Sequence, residues 1–274
     1  MPCNRTPIIA FHGSNIVVRS SSGEAREIST ANLNDFELLD LPETPPISGI
    51  YYTDRVTLLL DVEGTVWFLT HSKKGCKPLQ PTALELPKIV SIAVGHQHTL
   101  FLDENSKVWR TLSKYTHTIR PRDLEVLEQE KVKSIFCGEE SEFLLCENGA
   151  IWASWKRNYE LIMDEHQSSK FTLIQEESNV ISIVPARQCM FLLDNGRVVS
   201  FKERRLLTRE VSTQELRNIE HMWGCVDSYF FLDTEKNLYV MGDHHNGKLG
   251  VNIPGFVDVP TKIENISSVV SCCI

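Results

Sequence analysis

An all-β fold built from repeats is predicted by three features of the chain. Apolar runs of ~4–6 residues recur with a mean spacing of about 43 residues. Tight-turn residues, among them Asn148-Gly149 and Asn195-Gly196, separate the runs, and both central positions of such turns tolerate positive φ. Helical periodicity is weak throughout.

The elements follow in chain order. A faint first copy holds Ile9-Ala10-Phe11, Ile16-Val17-Val18 and the turn Ser22-Gly23. The second runs from Ile50 to Trp67, with Thr57-Leu58-Leu59-Leu60-Asp61 and the turn Glu63-Gly64. The third is the clearest: Ile92-Ala93-Val94-Gly95-His96-Gln97-His98, then Thr99 to Asp103, then Lys107-Val108-Trp109. The fourth reads Ile135-Phe136-Cys137-Gly138, Phe143 to Gly149 and Ile151-Trp152. The fifth spans Ile183 to Ser200, and the sixth spans Met222 to Tyr239. Phe36 to Leu39, Leu124 to Leu127 and Phe171 to Ile174 are candidate outer strands.

Three inner strands and a weaker outer one per period predict blades of a β-propeller, with six blades favoured and seven possible. A single domain over residues 1–274 is expected, with repeats starting near 8, 49, 91, 134, 182 and 221 and a stub at 266–274.

Composition narrows the function classes. The chain of 274 residues has 42% hydrophobic and 23% charged residues, ordinary values for a soluble globular protein. A net charge of −8 argues against nucleic acid as the main ligand. No window approaches the ~18 apolar residues of a membrane helix, so no transmembrane segment is expected. No export signal is read at the start, which predicts reduced thiols and a cytoplasmic location. The eight cysteines form no Cys-x-x-Cys pair. Cys272 and Cys273 miss the prenylation position, which Ser271 occupies.

The motifs point further. There is no Trp-Asp and no Gly-Gly pair, so the WD and kelch signatures are absent. The third repeat resembles the regulator-of-chromosome-condensation family, whose repeats carry Gly-x-x-His between two apolar strands: here Gly95, His96, Gln97 and His98. The sixth repeat is similar to that family's Gly-x-Asn-x-x-Gly-Gln-Leu-Gly segment, at Gly242 to Gly250. Gly242, Gly247, Leu249 and Gly250 match, while His244 and Lys248 replace Asn and Gln. The chain departs from the family in its low glycine content and in its loop histidine. The counterparts of His98 are Asn15, Val56, Ser141, Cys189 and Ser228.

That resemblance implies a scaffold whose exposed loops bind another protein. In the family's exchange factor, acids inside the Gly-x-x-His loops face the small GTPase Ran. The matching positions here are Asp54, Arg55, His96, Glu139, Glu140, Arg187 and Asp227, expected to ring one face as a mixed charged interface. Binding of a small GTPase, Ran above all, with promotion of guanine-nucleotide exchange is the leading expectation. An adaptor or inhibitor scaffold is the alternative. The compact form is similar to short stand-alone propellers of this family that intracellular bacteria such as Legionella deliver into host cytoplasm as effectors.

Other residues are read as structural. Gly95, His98, Gly138, Gly242, Gly247 and Gly250 mark repeat loops. Trp67, Trp109, Trp152 and Tyr239 share one repeat position and are assigned to blade packing. Trp223 is assigned to the core. His244 and His245 lack a convincing third ligand, so no metal is expected, and no cofactor motif appears. No hydrolytic or redox chemistry is expected. A monomer is expected.

Overall fold

The computed structural model describes residues 8–12, 15–19, 25–29, 36–38, 46–52, 56–70, 82–95, 98–111, 124–129, 131–138, 141–155, 170–176, 178–186, 188–202, 205–210, 216–225, 227–245, 249–251 and 255–264. Each repeat folds as one four-stranded sheet whose strands lie side by side in chain order. The first sheet holds β1 (Ile8–His12), β2 (Asn15–Arg19), β3 (Ala25–Ser29) and β4 (Phe36–Leu38). The second holds β5 (Ile47–Tyr52), β6 (Val56–Asp61), β7 (Val66–Thr70) and β8 (Thr82–Ala83). The third holds β9 (Ile89–Val94), β10 (Thr99–Asp103), β11 (Val108–Thr111) and β12 (Leu124–Leu127). The fourth holds β13 (Val132–Cys137), β14 (Ser141–Cys146), β15 (Ile151–Trp155) and β16 (Thr172–Gln175). The fifth holds β17 (Val180–Val184), β18 (Met190–Leu193), β19 (Val198–Lys202) and β20 (Arg205–Glu210). The sixth holds β21 (Ile219–Cys225), β22 (Ser228–Asp233), β23 (Leu238–Asp243) and β24 (Phe256–Lys262). Pairing within the sheets is antiparallel, as in β10 against both β9 and β11. The chain divides into two compact units, one within residues 1–135 and one within 136–272. The stub at 266–274 lies outside the described residues.

Second strands are covered on both faces. Every residue of β10 and of β14 is buried, which is why these strands read as unbroken apolar runs. In the first unit Leu58, Leu60, Val66, Ile89, Ile92 and Phe101 form one cluster, with Trp109 packed against it. In the second unit Phe143 meets Phe191 edge to face at 5.8 Å, the geometry aromatic quadrupoles favour. Met190 and Leu192 join Met222, Tyr229 and Phe231 in a further cluster.

First strands carry a bulge. Ile47 faces Asp61 but Gly49 faces Leu60, so Ser48 is skipped. The same slip skips Val90, Ile181 and Glu220. All four skipped residues are exposed. The extra residue lets side chains three apart face the same core, as in Ile47 and Ile50, Ile89 and Ile92, or Val180 and Ile183. A flat strand would send one of each pair to solvent. At its bulge, Ser48 Oγ donates to the carbonyls of Leu60 and Asp61, both at 3.0 Å. Trp223, expected in the core, is only half-buried on β21 and makes a tilted ring contact with His221 at 5.8 Å.

The turn from second to third strand is one device used five times. Its third residue after the strand end is left-handed: Gly64 (φ 90°), Ser106 (63°), Gly149 (82°), Gly196 (76°) and Lys236 (68°). In three of the five the carbonyl of that residue accepts from the incoming first strand of the next repeat. Gly64 accepts from Ile89 N–H at 2.8 Å, Ser106 from Val132 N–H at 3.3 Å, and Gly196 from Ile219 N–H at 3.1 Å. Gly149 accepts instead from Ser178 Oγ at 2.7 Å.

Buried carboxylates tie the turn together. Asp61 accepts from Glu63 N–H, Thr65 N–H and Trp67 Nε1–H, each at 2.9 Å. Asp103 does the same for Asn105 N–H at 2.9 Å, Lys107 N–H at 3.0 Å and Trp109 Nε1–H at 3.1 Å. The recurring tryptophan is thus the side-chain donor that closes its own hairpin. In the fourth repeat Cys146 stands in the carboxylate's place, and Asn148 Oδ1 accepts from Ala150 N–H at 3.0 Å.

Replacing Asp103 by Ala leaves three donors without their acceptor. A loss of about 3 kcal/mol is expected, against about 1 kcal/mol for Asn148→Ala, which removes one. Urea unfolding followed by tryptophan fluorescence measures both, and equal losses would show that the carboxylate does not organise the turn.

Candidate functional site

Strand direction separates two ends of every sheet. Turns from second to third strand, and the links entering the next repeat, share one end. Loops from first to second strand, and from third to fourth, share the other. The first end is stapled by the turn bonds above. It also carries the exposed Glu220–Lys236 pair, in which the Lys236 ammonium lowers the Glu220 pKa. The second end carries the loops from first to second strand, and Asp227 is the candidate partner residue described there.

Asp54, Arg55, His96, Glu139, Glu140 and Arg187 lie outside the described residues, as does Gly247. Asp227 is described and half-buried. Its carbonyl accepts from Asp243 N–H at 2.8 Å, which joins the loop before β22 to the end of β23. The first-to-second-strand loops are closed by their flanking residues: Gly95 N–H donates to the His98 carbonyl at 2.9 Å, and Gly138 N–H to the Ser141 carbonyl at 2.7 Å.

Two of the repeat glycines are required by close approach. A Cβ on Gly138 would lie 1.8 Å from the Pro185 carbonyl oxygen of the next repeat. A Cβ on Gly242 would lie 1.9 Å from the Asp227 oxygen, and its φ of +111° is left-handed as well. Gly250 has φ +68° but open space around it.

In the sixth repeat His244 is buried, and its Nδ1 accepts from Leu249 N–H at 3.1 Å. Nδ1 therefore carries no proton, and the ring does here what an Asn side-chain oxygen does as an acceptor. His245 is exposed, and its ring nitrogen contacts the Asp243 carboxylate. Among the described residues no group of three or more His, Cys, Asp or Glu could hold a metal ion.

Three of the residues aligned with His98, namely Ser141, Cys189 and Ser228, find a nearby partner. Ser228 Oγ donates to the Asp243 carbonyl at 3.2 Å. The Cys189 thiol lies 3.6 Å from the Ala186 carbonyl and is hydrogen-bonded to Ser141. Burial pushes the Cys189 thiol up to about 12, with the Ser141 bond opposing. The fifth-repeat loop is also longer. Val184 faces Met190 where Val94 faces Thr99, so Pro185, not Ala186, stands at the Gly95 position and one residue is added.

Tyr229 escaped the sequence reading. Its hydroxyl accepts from Gln188 N–H and donates to the Gln188 carbonyl, both at 2.9 Å. Thr99, Glu142 and Met190 occupy the same position in other repeats, so nothing periodic marks it. A polar-tipped ring inside an apolar strand was the available signal.

Trp67 and Trp109 serve the hairpins described above. Trp152, half-buried, faces Leu144 and Leu173, and Tyr239 faces Phe231 and Lys262.

Six four-stranded sheets in sequential repeats, with a stapled end and a loop end, define a β-propeller scaffold. The same fold is found in solved RCC1 propellers. Prp20p from Saccharomyces cerevisiae, studied for its binding to Gsp1p and histones, has the same fold with a TM-score of 0.71 at 15% identity, over 94% of this chain and 76% of that one. Yeast RCC1 (Prp20) bound to Kap60 gives 0.72 at 16% identity, over 94% and 75%. Human WBSCR16 gives 0.73 at 12% identity, over 95% and 82%. No family model and no curated relative matches the sequence, so the likeness is one of fold. Among the described residues no helix is long and apolar enough to cross a membrane.

The glycine geometry predicts that Gly242→Ala costs about 3 kcal/mol and Gly250→Ala about 1 kcal/mol. Thermal unfolding of the two variants checks the order, and an inverted order would refute the close approach. Cys189 is expected to resist iodoacetamide at pH 8 until the chain is unfolded, as read by peptide mass mapping. Between pH 9.0 and about 12 the unfolded chain loses this proton and the folded chain keeps it, so stability falls as pH rises through that window.

Proposed function

We propose that the chain is a non-hydrolytic interaction propeller of the cytoplasm that binds a small GTPase, Ran first among candidates, and promotes guanine-nucleotide exchange. The observation that carries this reading is the likeness in fold to Prp20p over 94% of the chain, together with the family motifs at Gly95 to His98 and Gly242 to Gly250. The charged positions Asp54, Arg55, His96, Glu139, Glu140, Arg187 and Asp227 fall in the chain between the first and second strands of their repeats, which supports this reading.

Exchange asks little of side-chain chemistry. The factor must hold the nucleotide-free GTPase more tightly than the loaded one, and linkage then lowers nucleotide affinity by the same factor. Loops held by bonds between their flanking residues, as Gly95 N–H to the His98 carbonyl, suit this role, because less ordering entropy opposes docking. The acids of the loops would set register and steer encounter with a basic face of the partner.

An adaptor or inhibitor scaffold is the second reading. It is favoured by the replacement of the loop histidine with Ser141, Cys189 and Ser228, which alters the loops that the exchange reading relies on.

Purified protein is expected to accelerate release of labelled GDP from Ran, and charge reversal at Glu139, Glu140 and Asp227 to weaken binding about tenfold or more. No acceleration on Ran or on a panel of other small GTPases would sink the exchange reading. Binding that survives the reversals unchanged would place the interface elsewhere.

A further inference from the structure

One residue binds the link between β23 and β24 at two places. His244 is only 8% exposed, and its Nδ1 accepts from Leu249 N–H at 3.1 Å. Its own N–H donates to the Gly255 carbonyl at 3.0 Å. Leu249 sits buried with Val240 and Val257 in a small apolar cluster, so the bond to His244 also seats a core side chain. Packing beside these bonds is open: a Cβ on Gly250 or on Gly255 would meet nothing within 4 Å. The two hydrogen bonds therefore carry much of the closure.

The acceptor of the first bond is a titratable group. Leu249 N–H occupies Nδ1, so the neutral ring keeps its proton on Nε2. A proton added at Nδ1 turns the acceptor into a donor and sets two N–H groups against each other. Bond and proton exclude one another, and acid favours the proton. The asparagine that the RCC1-like motif carries at this place would accept with an oxygen that does not titrate near neutral pH.

Other charged groups lie close by. Asp243 and His245 flank the residue, and the His245 ring contacts the Asp243 carboxylate. Asp227, on the loop before β22, holds the Asp243 N–H through its carbonyl. The strand β24 carries Asp258 and Lys262, both exposed. Protonation of His245 strengthens its contact with Asp243, so acid acts on the two histidines in opposite senses.

We propose that His244 is a pH-sensitive latch: neutral, it holds Leu249 and closes the link between β23 and β24, and protonated, it releases Leu249. The latch adjoins Asp243, whose N–H is tied to the Asp227 carbonyl, so it acts beside a candidate partner residue. It stands without the GTPase reading.

The test uses the full chain and reads amide hydrogen exchange, corrected for the intrinsic rate at each pH. Protection of the Leu249 amide is expected to fall about fivefold or more between about pH 7.5 and about pH 5.5, while the amides of β22 stay protected. In His244→Asn the Leu249 amide is expected to stay protected at both values, and in His245→Gln the fall is expected to remain. Equal protection of Leu249 at both values in the unaltered protein overturns the inference. So does a fall that persists in His244→Asn or disappears in His245→Gln. A second measurement needs no variant. The ring-nitrogen NMR signals of His244 are expected to show a bare Nδ1 at about pH 7.5, and its protonation to share a midpoint with the loss of Leu249 protection. A protonated Nδ1 at the higher pH, or two separate midpoints, overturns the latch.

Discussion

The bond from a first-strand N–H to the carbonyl of a left-handed turn residue in the preceding repeat organises each unit. It is a backbone bond, so it survives wide changes of side chain. It needs the turn residue to hold positive φ, which presents the carbonyl to the next repeat. Gly64, Gly149 and Gly196 adopt that conformation freely, and Ser106 and Lys236 adopt it at a cost of order 1 kcal/mol. The buried acids Asp103 and Asp233 help meet this cost by gathering the turn's donors. Where the acid is lost, at Cys146, an Asn and a glycine hold the turn instead, and Ser178 supplies the bond by its side chain. The register of the third and sixth sheets follows, because the bonded residues Ile89 and Ile219 stand immediately before their bulges.

Much of this was legible in the sequence because it recurs. The buried second strands, the Asn-Gly turns and the tryptophan column repeat at one spacing, and recurrence separates signal from chance. The bulges were not legible. Apolar residues three apart, as in Ile89 and Ile92, carry a helical spacing, and only the skipped Val90 reconciles them with a strand. Outer strands were partly legible. Leu124 to Leu127, three apolar residues in four, was found, whereas Thr82–Ala83 is two exposed residues and Arg205–Glu210 is largely polar. These edges form because a neighbouring strand offers hydrogen-bond partners, with little side-chain preference of their own.

The functional end was legible in kind but not in detail. Its loops were identified by their place between strands and by charge. Contacts such as Tyr229 with Gln188 arise between repeats some forty residues apart and have no period to betray them. Gly242 was recognised from the family motif, while its physical cause, the Asp227 carbonyl where a Cβ would sit, belongs to the three-dimensional arrangement.

The loss of the loop histidine also takes on a physical sense. The replacements Ser141, Cys189 and Ser228 are all small and nearly buried. Each is bonded over a short reach: Ser141 to Cys189, Cys189 to the Ala186 carbonyl, Ser228 to the Asp243 carbonyl. A second tie to the preceding repeat comes from Tyr229, one residue beyond Ser228, whose hydroxyl holds both backbone groups of Gln188. A one-residue step in a strand turns the side chain to the opposite face. Adjacent positions therefore serve different segments: Ser228 holds the Asp243 carbonyl of its own sheet, and Tyr229 holds Gln188 of the fifth repeat.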